Sequence, residues 1–254
     1  MTLHTILDPA SLNQVPPGTC ALGIMTKAPR AGEVKTRLVP PLSSNEAAEI
    51  NACFLRDLSM SILQACNHAQ AQGVGIYTPV GAEKSYESIL PPEFVLIPQR
   101  GAGFGERIIN ATTDLFAVGF RSVCLINSDS PTVPSSSFAQ AVIELAKPGD
   151  RVVLGPSDDG GYYLIGLKNM HRRMFEEIDW STEHVLEQTK ARAAEIKVEV
   201  CGLPGGFDVD DRVSLGRLCH ELLNENTRSI VAPTTQQFLS RIIAREGRGR
   251  IWPT

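Results

Sequence analysis

From Cys20 onward, short apolar runs alternate with longer stretches in which an apolar residue recurs every third or fourth position. The runs "CALGIMT", "GVGIYTP", "FVLIP", "RSVCLIN", "RVVLGPS", "GYYLIGL" and "IKVEVC" are bounded by turn residues and read as strands covered on both faces. The intervening stretches read as helices. In "PLSSNEAAEINACFLRDLSMSILQA", Ser43 followed by Glu46 is a capping-box start, and Ile50, Phe54, Leu58 and Ile62 form one apolar face. "GERIINATTDLFAVG", "PSSSFAQAVIELA", "STEHVLEQTKARAAE", "DDRVSLGRLCHELL" and "TQQFLSRIIARE" complete the set, with Trp180-Ser181-Thr182 expected to open the fourth helix. Asp-Gly at 159–160, between two apolar runs, predicts a hairpin.

Strands alternating with helices predict an α/β protein, a three-layer α/β/α sandwich on a mostly parallel sheet. Residues 1–18 are polar and Pro-containing and read as an N-terminal extension. Residues 19–254 contain no repeat, low-complexity tract or linker and read as a single domain. In such folds ligands bind at the carboxyl ends of the strands, so the loops that follow strands carry the functional information.

Composition narrows the class of ligand. The chain has 254 residues with a net charge of −4, which disfavours a general nucleic-acid binder and assigns its cationic clusters to a small anionic ligand. The six cysteines are widely spaced without a CxxC pair and read as buried small hydrophobes in a reducing compartment. The histidines lack metal-ligand spacing. No apolar run approaches the ~20 residues that span a bilayer, and the N-terminus lacks the pattern of a signal peptide, so a cytoplasmic protein is expected.

Four loops carry unusual residues. The first strand runs into "TKAPRAGEVKTRL", with Lys27, Arg30, Lys35 and Arg37. Val34 before Lys35 rules out a P-loop, but Gly32 permits close approach of backbone N–H groups, Lys35 supplies a point charge and Arg37 a bidentate fork. A phosphate cradle and a solvated basic loop both satisfy this pattern. Asp129 stands at the tip of an apolar strand, where a carboxylate presents a divalent ion to nucleotide phosphates, or else caps the next helix. Asp158-Asp159-Gly160-Gly161-Tyr162-Tyr163 exceeds what a hairpin needs: Gly161 would admit a ligand and a Tyr would contact it. Phe207-Asp208-Val209-Asp210-Asp211 concentrates acids that repel unless a cation balances them; Asp211 suits a helix start, and Asp210 is the second candidate metal carboxylate. Two weaker features are the glycines of "QRGAGFGERI", before a helix starting near Gly105, and the hydroxyls of Ser181 and Thr182.

"KAPRAGEVKTRLVPPL", "QRGAGFGERI", "INSDSP", "GPSDDGGYYLIGL", "FEEIDWST" and "FDVDDRVSL", in this order over roughly residues 20–220, resemble the DUF2064 family. Its members are bacterial proteins described as GT-A-type glycosyltransferases or nucleotide-diphospho-sugar transferases, similar in turn to 2-phospholactate and molybdenum-cofactor guanylyltransferases. The chain departs from the family pattern in Asn127-Ser128 for Gly-Thr, in Asp211 for Thr, in Ser214 for the last Asp of the closing motif, and in Phe104 for Leu. The resemblance implies a seven-stranded mixed, Rossmann-like sheet binding a nucleotide or nucleotide-sugar donor, with a small-molecule acceptor. It implies Mg²⁺ or Mn²⁺ on Asp129, Asp208 and Asp210. Phosphate contacts would come from Lys27, Gly32, Lys35, Thr36, Arg37, Gly105, Glu106 and Asp129. Lys35, Arg37, Asp158 and Asp159 would serve catalysis. Asp159, Gly160, Gly161, Tyr162, Trp180, Ser181 and Thr182 would contact substrate. The reaction expected is glycosyl transfer, with nucleotidylyl transfer from an NTP as the alternative.

Overall fold

The computed structural model describes residues 4–12, 14–224 and 231–252; residues 1–3 and 13 of the expected extension and the end of the expected domain, 253–254, lie outside them. Seven strands form one sheet: β1 (Cys20–Lys27), β2 (Ala71–Thr78), β3 (Val95–Pro98), β4 (Ser122–Ile126), β5 (Arg151–Pro156), β6 (Tyr162–Leu167) and β7 (Glu199–Gly202). Their order is β3-β2-β1-β4-β6-β5-β7. All pairings are parallel except those of β6, which runs antiparallel to both β4 and β5. The sheet is thus mostly parallel, as the apolar runs predict, and seven-stranded and mixed, as the resemblance implies.

The described residues form six α-helices, of which α1 (Ser44–Cys66), α2 (Phe104–Ala117), α3 (Ser135–Ala146) and α4 (Val185–Glu195) pack on the sheet while α5 (Arg212–Leu223) and α6 (Pro233–Glu246) extend the layer of α1. One core lies under α1 and α3, where Leu22, Ile24, Leu58, Ile62, Phe138 and Leu164 pack. A second lies on the opposite face under α2 and α4, around Val74, Ile76, Ile108, Leu115, Leu125 and Ile165. A third joins α1 to α5 and α6 through Phe54, Leu215, Leu218 and Phe238. Burying side chains of this size stabilises each layer by roughly 1.5–3 kcal/mol per residue before chain entropy is subtracted. Within the N-terminal stretch, Ile6 bridges Leu96 on β3 and Leu7 is buried in the second core, so this stretch contributes to the sheet's edge.

Two boundaries differ from the sequence expectation. α4 opens at Val185 rather than at Ser181. The intervening residues form a turn: Ser181 has φ 65°, and the Thr182 hydroxyl donates to the Asp179 carbonyl while accepting from His184 N–H. Asp129 is not a helix cap, since Pro134 precedes the first turn of α3.

Candidate active site

The direction of the strands decides which loops meet. β1 and β4 are parallel, and β6 is antiparallel to β4, so the start of β6 lies beside the end of β4. Asn127 N–H donates to the Tyr163 carbonyl at 2.9 Å and extends that pairing into the Asp129 loop. The loop after β7 is tied in by Val209 N–H, which donates to the Asp129 carbonyl at 2.8 Å. Asp129 and Asp208–Asp210, distant in sequence, therefore sit on adjoining backbone.

Lys35 closes this arrangement. Its Nζ lies 2.5 Å from Asp129 Oδ1 and 2.9 Å from Asp210 Oδ1, and donates to the Val209 carbonyl at 2.8 Å. The lysine side chain is 4% exposed although it carries a full charge. Burial opposes that charge, but the carboxylates of Asp129 and Asp210 outweigh it and hold the ammonium above the ordinary lysine pKa. Arg37, largely exposed, reaches Asp210 Oδ2 at 2.8 Å. The sequence resemblance sets Lys35 and Arg37 opposite a metal on these aspartates; in the structure the lysine itself stands between them.

Asp208 is held differently. Its Oδ1 accepts from Asn127 Nδ2 at 2.7 Å and from the Ser130 hydroxyl. Burial, with the negative charges of Asp129 and Asp159, pushes its carboxyl up to about 6 despite those hydrogen bonds. The sequence marks Asn127 only as a departure from the family pattern and gives Ser130 no role; a strand-end Asn and a Ser flanking a candidate carboxylate are the signal that points to them.

Two cavities open on this cluster, and Arg37, Ser128, Asp129 and Asp210 line both. The larger, about 520 Å³, has an acidic end with Asp129, Asp159, Asp208 and Asp210, and an aromatic end with Phe104, Tyr162 and Trp180. Phe104 and Trp180 meet edge to face at 5.3 Å between centroids. Gly105 makes this possible, because a Cβ there would stand 2.4 Å from the Trp180 indole nitrogen. Gly161, Ser181 and Thr182 also line this cavity. The smaller, about 250 Å³, lies under the basic loop against Lys27, Lys35, Thr36 and Asn51.

The remaining predicted residues make structural contacts or turns, Lys27 while also lining the smaller cavity. Asp158 pairs with Arg217 at 2.5 Å and lines neither cavity. Gly160, with φ 85°, forms the hairpin turn against the Glu183 backbone. Glu106 accepts from Ala102 N–H at 2.8 Å and organises the turn before α2. Gly32, with φ 77°, lets the basic loop turn, and Lys27 pairs with Glu33 at 3.4 Å. Asp211 caps α5: its side chain accepts from Ser214 N–H, and the Ser214 hydroxyl accepts in return from Asp210 and Asp211 N–H. The two departures from the family's closing motif are thus one reciprocal cap.

Residues 62–182 match the family described as "Uncharacterized protein conserved in bacteria (DUF2064)", which bears out the resemblance read from the motifs. No curated protein matches the sequence. A solved structure from Desulfovibrio desulfuricans G20, provisionally named a nucleotide-diphospho-sugar transferase, is 27% identical, with a TM-score of 0.79 over 91% of this chain and 99% of that one. A CMP:2-keto-3-deoxy-manno-octonic acid synthetase complexed with CTP shares the fold at 9% identity and TM-score 0.50, over 80% of this chain and 97% of its own. So does a cytidylyltransferase from Leptospira borgpetersenii serovar Hardjo-bovis (strain JB197), at 12% identity and TM-score 0.50, over 93% and 98%.

Proposed function

We propose that this chain is a transferase that uses a nucleotide-activated donor together with Mg²⁺ or Mn²⁺, and that it moves a glycosyl group from a nucleotide-diphosphate sugar to a small acceptor. One observation carries the reading: Asp129 and Asp210 converge with Lys35 and Arg37 where two cavities join. The similarity to the nucleotide-diphospho-sugar transferase fold supports it.

The residues fit a divalent ion of the kind that phosphates complete. Among the described residues no three His, Cys, Asp or Glu side chains converge as a cage. Mg²⁺ instead takes one or two carboxylates, with phosphate oxygens and waters filling its octahedron. Asp129 and Asp210 would hold it, and Asp208 lines the same cavity beside them. When bound, the ion offsets charge developing on the departing nucleoside diphosphate. Arg37 grips a phosphoryl group with its fork. Asp159 orients the sugar or takes the acceptor's proton, a role Asp158 is turned away from. Phe104 and Trp180 cover the acceptor and exclude water, which strengthens every charge interaction inside.

The smaller cavity favours a second reading. Lys27, Lys35, Thr36 and Arg37 line enough space for a longer phosphate tail, as nucleotidylyl transfer requires. There an acceptor phosphate attacks the α-phosphorus of an NTP and pyrophosphate leaves.

A thermal-shift panel of UDP, GDP, their sugars and the four NTPs, each with Mg²⁺ or Mn²⁺, tests both. The glycosyl reading expects a nucleotide-sugar at a hundred-fold excess over Kd to stabilise the protein by about 2.7 kcal/mol, and so to raise Tm, only with metal. Asp129→Ala and Asp210→Ala should each weaken that binding at least ~10- to 100-fold, the loss typical of even an outer partner of a metal site. Pyrophosphate release from an NTP and a phosphorylated acceptor would move the assignment to the second reading. Silence across the panel would remove both.

A further inference from the structure

The geometry points to Lys35 as the residue that decides when metal enters. Its ammonium is the resident cation of the Asp129–Asp210 pair in the nucleotide-free protein, and a divalent ion takes that place only when nucleotide phosphates draw the lysine away. The inference rests on the metal-dependent reading above and fixes its order of binding: nucleotide and metal arrive together.

Three observations converge. The ammonium has three N–H donors and faces three oxygens, Asp129 Oδ1 at 2.5 Å, Asp210 Oδ1 at 2.9 Å and the Val209 carbonyl at 2.8 Å. It is saturated, and it sits on the oxygens a divalent ion would need. Asp210 Oδ2 is already engaged by Arg37 at 2.8 Å. A second cation at the same oxygens would meet the ammonium at near contact in a low-dielectric setting, so the two exclude one another.

The lysine also has somewhere to go. It borders the smaller cavity, and so does Asn51 on α1. Asn51 is 4% exposed, and its Oδ1 is buried without a hydrogen-bond partner. A buried carbonyl oxygen lacking a donor is uncommon and calls for an explanation. An ammonium turned into this cavity supplies one, sharing its remaining donors with a phosphate there. The Lys35 backbone, at φ 49° and ψ 36°, is left-handed, a conformation uncommon for a residue other than glycine and kept where the surrounding structure fixes it.

The test is binding of Mn²⁺, read as loss of the free-ion EPR signal, to the intact wild-type chain and to Lys35→Met, without nucleotide and with UDP or GDP (nucleotide-only samples correct for Mn²⁺ held by the nucleotide itself). Without nucleotide, Lys35→Met should bind Mn²⁺ about 10- to 100-fold more tightly than wild type, the size of a usual coupling between sites. A lysine with a purely structural role would give no such gain. In wild type, Mn²⁺ and nucleotide should each tighten the other by the same factor, and Lys35→Gln, a milder change should the Met variant misfold, should reduce that factor. Equal Mn²⁺ affinity of wild type and both variants would overturn the gating role while leaving a metal-dependent transferase intact. Absence of any metal-dependent nucleotide binding in wild type would instead remove the functional reading, and the gating role with it.

Discussion

Asp57 and Asp208 are the same residue put to opposite uses. Asp57, 2% exposed on α1, spends its carboxylate on the start of α6: it accepts from Thr234 N–H at 2.9 Å, Thr235 N–H at 2.8 Å and the Thr235 hydroxyl at 2.6 Å. Those donors belong to the first turn of a helix, which has no other partner for them and whose dipole favours negative charge. Asp208 accepts from Asn127 and Ser130, but it shares its surroundings with Asp129 and Asp159 and faces a cavity. One carboxylate is satisfied by hydrogen bonds from the fold. The other is buried beside two like charges, a setting that makes it a candidate functional carboxylate.

The comparison is broken most directly at Asp57. Asp57→Ala should cost about 2–4 kcal/mol in urea denaturation, because it orphans buried N–H groups and leaves a hole beside α6. Nucleotide binding, measured well below the lowered Tm, should stay unchanged. A loss under 1 kcal/mol would mean that water or a neighbour caps α6 equally well. Asp208→Asn should do the reverse. The amide oxygen still accepts from Asn127 and Ser130, while the like-charge repulsion and the desolvation of a carboxylate disappear. Metal-free protein in EDTA at pH 7 should therefore gain about 1 kcal/mol, while metal-dependent nucleotide affinity falls. If the variant is destabilised instead, the Asp208 charge is satisfied by the fold and the contrast with Asp57 collapses.

Much of this fold is legible because its central strands are covered on both faces and its helices carry one apolar stripe. The capping box at Ser43 and Glu46 is written in four consecutive letters, and the structure shows both of its hydrogen bonds. The cap formed by Asp211 and Ser214 is equally local, and could have been read where the sequence registers only two departures from a family motif. What was not legible is long-range. Strand order, with β6 inserted between β4 and β5, depends on pairings that no local pattern fixes. The diversion of Asp158 depends on Arg217, another helix away. The loops bearing Lys35, Asp129 and Asp210 are recognisable separately. That a lysine bridges the carboxylates, rather than facing them across an ion, follows only from the tie between Val209 and Asp129. Asn51 looks like one polar residue on a helix until its unpartnered oxygen is seen beside a cavity.

Glu46 supplies the smallest and sharpest test, since it is a third carboxylate, spent on structure like Asp57 but through arginines. It accepts from Ser43 N–H at 2.8 Å, from Arg250 and from Arg245 at 2.5 Å, and so fastens the segment after α6 to the first turn of α1. Burial works to raise its carboxyl, but Arg250 and Ser43 prevail and hold it near 2, below the ordinary 4.5. A folded-state pKa below the unfolded one gives stability that is complete above about pH 4.5 and is lost as the pH falls toward about 2. Glu46→Gln should thus cost about 1 kcal/mol at pH 7, the scale of a cap plus a partly exposed ion pair, and almost nothing near pH 2. Tm curves of the two proteins should converge on acidification. Asp208→Asn, whose wild-type carboxyl titrates near 6, should converge with wild type earlier, between about pH 6 and 4, and from the opposite side. Parallel curves for Glu46→Gln down to pH 2 would show that its arginines stabilise nothing, and that the fold spends this carboxylate no more fully than the one beside the cavity.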